Sequence, residues 1–348
     1  MSYTTIDNPH KFFNTVTYTG NASTQSITGV GFQPDWVWGK NRSSVTHHAL
    51  QDAVRGNTKV IKSSSTNAES TVTNMVTSFD SDGFSLGSDS DMNGSSANQV
   101  AWNWKAGGSA SSNSNGSITS SVSANTTSGF SIVSYTGTGS VATVGHGLGV
   151  APKFIIVKTR SLSGEAWPVD IREQTGIVYL NETGAKGSYG DSSPFPSTAP
   201  TTTVFSIGTP NNTNGSGATY IAYCFAEVKG FSKFGSYTGN GNADGTFVYT
   251  GFRPAWVMTK RTDSTSGWII RDNKRDTFNP SETSLYANAT TADDTSGGAS
   301  YYLDFLSNGF KFRGSGTAFN ASSGSYIYMA FAEHPFVTAG TKAAGTAK

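Results

Sequence analysis

Three stretches of this chain spell nearly the same phrase. The first is Gly31-Phe32-Gln33-Pro34-Asp35-Trp36-Val37-Trp38-Gly39-Lys40-Asn41-Arg42. The second is Gly149-Val150-Ala151-Pro152-Lys153-Phe154-Ile155-Ile156-Val157-Lys158-Thr159-Arg160, and the third Gly251-Phe252-Arg253-Pro254-Ala255-Trp256-Val257-Met258-Thr259-Lys260-Arg261. An internal repeat constrains a fold more than any other sequence feature, because each copy must be one structural unit. The copies share further landmarks in fixed order. A Tyr-Thr-Gly (Tyr18–Gly20, Tyr135–Gly137, Tyr237–Gly239) precedes the motif Gly by 13, 14 and 14 residues, counted from the Tyr. Phe84, Phe205 and Phe310 follow the motif Pro by 50, 53 and 56 residues. Each copy closes on an aromatic run: Trp102 to Trp104, Tyr223 to Phe225, Tyr328 to Phe331. The spacing changes fall in Gly/Ser/Thr/Asn-rich stretches, where surface loops absorb insertions.

The periodicity inside a copy is two, not 3.6. Phe310 and Phe312 alternate with Lys311 and Arg313, the pattern of a half-buried strand. Trp36-Val37-Trp38 and Phe154-Ile155-Ile156-Val157 are apolar on both faces, so the central strand is covered on both sides. Short strands with turn residues at regular intervals point to an all-β chain of three tandem β-sandwich, jelly-roll-like modules. The boundaries are 1–106, a Gly/Ser linker at 107–117 read as a flexible spacer, 118–229, 230–337, and a tail at 338–348. The junction Val228-Lys229-Gly230 is short, which packs modules two and three together. The motif Pro suits the first position of a strand, where no ladder donor is lost.

Composition narrows the function. A formal net charge of +1 argues against general nucleic-acid binding, and 12% aromatic residues argue against disorder. The single cysteine, Cys224, excludes an internal disulfide and reads as a small buried hydrophobe. No run approaches the roughly eighteen apolar residues of a membrane helix. The opening residues lack the basic-then-apolar pattern of a signal peptide, so synthesis in the cytoplasm is expected.

Catalytic constellations are not evident. None of the five histidines, His10, His47, His48, His146 and His334, recurs in all three copies. Glycoside hydrolysis needs two placed carboxylates; Glu165, Asp170, Glu173, Glu182 and Glu282 are available, but nothing ties two of them together. Asp80, Asp82, Asp89 and Asp91 offer hard oxygen ligands suited to Ca²⁺. The third copy has Asn308 where the first has Asp82, which favours turn chemistry instead. No cofactor is expected.

Two sets of residues recur and carry the binding hypotheses. Trp167 and Trp268 follow the central strand in copies two and three, with His48 in the first copy. An exposed Trp there stacks on a sugar ring, whereas a packed one caps the sandwich edge, and packing is the favoured reading. The basic pairs Lys40/Arg42, Lys158/Arg160 and Lys260/Arg261 end the central strands, with Asp52/Arg55, Asp170/Arg172 and Asp272/Arg275 downstream. They read either as an anion or polysaccharide contact or, the favoured alternative, as local ion pairs that fix a loop.

The segments Tyr18–Asn21, Gly31–Arg42, Asp80–Ser88 and Val100–Gly108 resemble repeats of virion structural proteins of marine bacteriophages. Copies two and three are looser; copy two has Phe154 and Ile156 for the tryptophans and an inserted Pro/Ser/Thr loop at 192–203. The resemblance implies a non-enzymatic particle component, tail or tail-fibre associated and contacting the host surface. Its expected partners are other virion proteins, a host glycan and further copies of itself, a trimer by family habit. A head-decoration protein and a tailspike-like polysaccharide-degrading enzyme are the alternatives.

Overall fold

Each copy of the repeat builds the same antiparallel ladder. The computed structural model describes residues 4–337 and is all-β; the tail expected at 338–348 lies outside the described residues, as does the Glu173 side chain. The opening strand carries the Tyr-Thr pair and spans Phe13–Thr19, Phe130–Thr136 or Ser232–Thr238. It pairs with the closing strand, Asn98–Trp104, Thr219–Phe225 or Ser325–Pro335. The central strand comes next, Trp36–Asn41, Phe154–Thr159 or Phe252–Arg261. A fourth strand follows, Ala49–Asp52, Pro168–Ile171 or Trp268–Asp272. The order opening, closing, central, fourth holds in all three sheets. The register matches as well: Trp36 faces Trp104, Phe154 faces Phe225 and Trp256 faces Phe331. Pro34 and Pro152 precede their strands, but the third strand starts earlier, at Phe252, and accommodates Pro254 at a register shift, where a missing donor is tolerated.

A smaller antiparallel sheet covers one face of each ladder. It contains Gln25–Ile27, Gly83–Leu86 and Val76–Asp80 in the first module. The second module has Ala142–Gly145 with Val204–Ile207, and the third Phe247–Tyr249, Gly309–Phe312 and Leu303–Leu306. Between the two sheets lie separate outer cores that contain Val37 and Phe84, Ile155 and Phe205, or Val257 and Phe310. Cys224 is buried in the second of these, and burial pushes its thiol up.

The opposite face of every ladder meets the other two. Trp36, Trp38, Phe154, Ile156, Trp256 and Met258 all belong to one central hydrophobic cluster. The register-equivalent residues Trp104, Phe225 and Phe331 converge there, with ring centroids 5.6 Å apart for Trp104–Phe331 and 6.0 Å for Phe225–Phe331. The central strand is therefore apolar on both faces because it separates an outer core from a shared one. The three sandwich modules form a closed ring around this common core. Each large side chain buried this way contributes roughly 1.5–3 kcal/mol.

The Gly/Ser linker is a correction. Residues 107–117 are not a free spacer: Ser111–Asn113 is a strand paired with Ser120–Asn125, which extends the second ladder beyond its opening strand. The backbone amides of Ala106 and Gly108 donate to the Asp35 carboxylate, and a Cβ on Gly107 would lie 2.4 Å from the Ala124 carbonyl.

The Tyr-Thr-Gly landmark is a loop anchor. The hydroxyls of Tyr18, Tyr135 and Tyr237 donate to the carbonyls of Met92, Thr213 and Phe319, each in a one-turn helix. A Cβ on Gly20, Gly137 or Gly239 would lie 2.2, 2.4 or 2.3 Å from a carbonyl oxygen of residue 94, 215 or 321. Only glycine permits that approach. The next helix residue, Asn93, Asn214 or Asn320, is fully buried and clamps the loop. Its side-chain oxygen accepts the amide of Asn21, Thr138 or Asn240, and its Nδ2 donates to the carbonyl of Gly87, Gly208 or Gly314.

Candidate functional site

The recurring polar residues gather at the seams between modules. Asp52 ends a fourth strand and turns back on its own chain. One carboxylate oxygen accepts the amides of Val54 and Arg55, and the other meets Arg55 Nε at 2.5 Å. Both side chains are fully buried. The Tyr223 hydroxyl of the second module donates to Asp52 Oδ2 at 2.7 Å, while its ring stacks on Trp36 at 4.2 Å. The first and third modules repeat this design. Asp272 accepts the Arg275 guanidinium at 2.6 Å and the Trp102 indole N–H at 3.1 Å. Trp102 and Tyr223 occupy the same register position in their closing strands.

A second acid ties each of these seams on its rim. Glu69 accepts from its own Arg55 and from Arg160 of the second module. Asp293 accepts from its own Arg275 and from Arg42 of the first. The backbone agrees: the amides of Glu69 and Asp293 donate to the carbonyls of Arg160 and Arg42.

The seam between modules two and three keeps the backbone contact and, among the described residues, lacks the ion pairs of the other two. Lys186 donates its amide to the Thr262 carbonyl, so Lys186 stands where Glu69 and Asp293 stand, and Thr262 where Arg160 and Arg42 stand. Ile171 lies opposite Phe154 and so replaces the aspartate. Met329, opposite Met258, replaces Tyr223 and Trp102. Gln174 takes the arginine position, accepts from the Thr262 hydroxyl and donates to the Tyr326 carbonyl. The sequence grouping of Asp170/Arg172 with the other Asp/Arg pairs is therefore corrected. One extra residue before Trp167 shifts Asp170 to the other face of its strand. There it accepts from Arg172 and from the Tyr189 hydroxyl, within its own module.

The residues selected for glycan stacking lie inside these seams. Lys40, Lys158 and Lys260 face His48, Trp167 and Trp268 across the ladder by continuation of the register. Trp167 and Trp268 are buried, and their indole N–H groups donate at 2.8 Å to the carbonyls of Ser65 and Tyr179 in the neighbouring module. Buried and hydrogen-bonded in this way, neither ring can stack on a sugar. His48 is fully buried, accepts the Trp38 indole N–H at Nδ1, and turns its other nitrogen toward the Tyr286 carbonyl without reaching hydrogen-bond geometry. Burial, followed by the Lys40 charge, holds it well below the usual histidine range.

The basic contacts are corrected for the same reason. Burial lowers the ammonium groups of Lys40, Lys158 and Lys260 to about 8, and carbonyl oxygens receive them: Asn41 and Ser44, Thr66 and Glu165, Thr183 and Arg261. Arg42 and Arg160 hold seam acids, while Arg261 holds Asp263 on the surface. None of them forms an open anion patch.

The four Ca²⁺ candidates do not converge. Asp80 accepts from Ser78 and Ser85, Asp82 from the amides of Gly29 and Gly31, and Asp89 caps the helix at Ser90–Asn93. Asp91 pairs with Lys62. Among the described residues no cluster of three His, Cys, Asp or Glu could hold a metal. The histidines do not gather at one site. His10 and His334 meet edge to face at 5.9 Å, His146 bonds the Thr201 carbonyl, and His47 meets Ser64 at 2.9 Å. Asp91, whose charge His47 feels, is held by Lys62. Glu182 and Glu282 are exposed on different modules, and Glu165 is half-buried beside Lys158.

Sequence reading missed the cross-seam partners Tyr223, Trp102, Glu69 and Asp293, and the clamps Asn93, Asn214 and Asn320. The clamps had a legible signal: each lies nine residues before Trp102, Tyr223 or Met329. Glu69 and Asp293 sit in loops of unlike sequence and had none.

A family model described as a domain of unknown function, DUF7483, matches residues 8–335. No curated protein and no solved structure matches the chain.

Proposed function

The chain belongs to the family of that domain of unknown function, DUF7483, and from that premise we propose a non-enzymatic structural protein of a bacteriophage particle. Its place is on the tail or a tail fibre, where it contacts other virion proteins and the host surface. One observation carries the reading: the buried Asp/Arg pairs of copies one and three, with the side chains that face them, hold modules to one another around a common core. Such chemistry makes a rigid body, whereas an enzyme would turn its recurring polar groups toward a cleft. The resemblance of the Tyr18–Asn21, Gly31–Arg42, Asp80–Ser88 and Val100–Gly108 segments to virion repeats supplies the setting.

The ring also bears on the expected homotrimer. A chain that closes three like modules on itself presents a three-fold body as a single copy, so three-fold position does not require three chains. That observation favours head decoration as the second reading, since one copy then suits one three-fold site of a shell. Locating the protein on purified particles by labelling and electron microscopy, with copy number from quantitative mass spectrometry, separates the two. A few copies at the tail support the first reading, hundreds over the head support the second, and absence from particles sinks both.

A further inference from the structure

Among the described residues, one of three equivalent grooves is filled by the chain itself, and the other two hold no strand. In each module a groove runs between the edge of the ladder, at the opening strand, and the edge of the small sheet. In module two it is occupied. Ser120–Asn125 pairs along the opening strand Phe130–Thr136, with Val122 opposite Val133. Ile118 bridges across to Val144 of the small sheet, and Ser120 Oγ donates to the Gly145 carbonyl. Ile118 and Val122 thereby join the outer core.

Among the described residues, modules one and three have no such strand. Phe13–Thr19 and Ser232–Thr238 are the outermost strands of their ladders. The grooves beside them measure about 390 Å³ and about 440 Å³. Register-equivalent residues record the difference: Val133 and Tyr135 are buried beneath the added strand, whereas Val16 and Tyr18 are half-exposed. The third groove also exposes Phe247 and Tyr249, at 44% and 53%. Exposed edges are normally guarded by charge, proline or a bulge. The first strand carries none of these (Phe-Asn-Thr-Val-Thr-Tyr-Thr), with Lys274 of module three lining its groove, and the second carries only Lys233, which pairs with Glu227. The occupant of the second groove comes from the long segment between modules one and two. The junction at 228–230 is too short to supply another.

We propose that the open grooves of modules one and three bind an extended strand of a partner polypeptide by β-augmentation. The occupied groove specifies the partner's chemistry: an uncharged Ser/Thr-rich segment with branched aliphatic residues four apart, as in Ile118-Thr119-Ser120-Ser121-Val122. Ladder hydrogen bonds supply affinity, and the two aliphatic side chains filling the outer core supply register. The proposal stands whether or not the chain is a virion component.

The probe is a synthetic peptide with the sequence of residues 110–126, added to the full-length chain. Inside the chain this segment profits from a tether, equivalent to roughly millimolar concentration, so the free peptide is titrated into that range. Backbone amide exchange is followed by mass spectrometry. The expected result is at least a ten-fold slowing confined to Phe13–Thr19, Ser232–Thr238 and the adjoining small-sheet strands. A peptide with aspartate in place of both aliphatic residues should give none. Unchanged exchange at both edges, equal protection by the aspartate peptide, or protection elsewhere overturns the proposal. So does protection of these edges before peptide is added together with a dimer in sedimentation, which would assign the grooves to a second copy of the chain.

Discussion

Trp36 shows how much a single residue carries. Its ring touches Trp38, Trp104, Phe130, Tyr223 and Phe225, drawn from two modules. Trp36→Ala should cost about 3–5 kcal/mol, read as a drop in urea midpoint. Tyr223→Phe leaves the buried Asp52 carboxylate short of one donor, and Trp102→Phe does the same to Asp272; each should cost about 1–3 kcal/mol. At the seam without ion pairs Met329→Leu should cost under about 1.5 kcal/mol. Equal losses at all three positions would mean that the charges do not distinguish the seams. Residue equivalence was legible in the sequence, since His48, Trp167 and Trp268 do share a position. What lies opposite them was not, because period-two alternation assigns a face but does not say whether water or another module covers it. Asp170 misled for a related reason: one inserted residue reverses a strand's faces, and Asp and Arg are common enough to re-create a pair out of register.

The central strand was the most legible element, since only cover on two sides explains Trp36-Val37-Trp38. The linker was the least legible, because Gly/Ser composition describes a free chain and takes no account of an open sheet edge nearby. Two predictions belong at this scale. Asn93→Ala, Asn214→Ala and Asn320→Ala each remove several bonds from a loop clamp, so amide exchange at Asn21, Thr138 or Asn240 should rise at least ten-fold in the altered module alone. The lysines that end the central strands give a pH signature. Folding lowers each from 10.5 to about 8. Below about pH 8 the group is protonated folded and unfolded, and contributes no slope. Above that, up to 10.5, the unfolded chain holds the proton that the folded chain has released, so unfolding free energy rises with pH. The urea midpoint should therefore increase from pH 8 to pH 9.5, by on the order of 1 kcal/mol per lysine. Tyr18, Tyr135 and Tyr237, whose hydroxyls desolvation pushes up, reverse the trend only above pH 10.

At the scale of the molecule, the outer cores belong to single modules and the central core to none. Calorimetry should record one cooperative transition with equal calorimetric and van't Hoff enthalpies. Residues 230–337 alone should expose Trp256, Met258 and Phe331 and give no dispersed amide spectrum. A native-like spectrum from that fragment, or three resolved transitions in the whole chain, would show that the modules fold independently. Closure has a further consequence for descent. An open stack of repeats gains or loses a unit at its end and keeps every remaining interface. A ring has no end, so losing one unit leaves two surfaces that no longer meet, and adding one requires every crossing angle to change together. Variation in this family should therefore appear as loops lengthened within a module, as at residues 192–203, and not as a fourth copy.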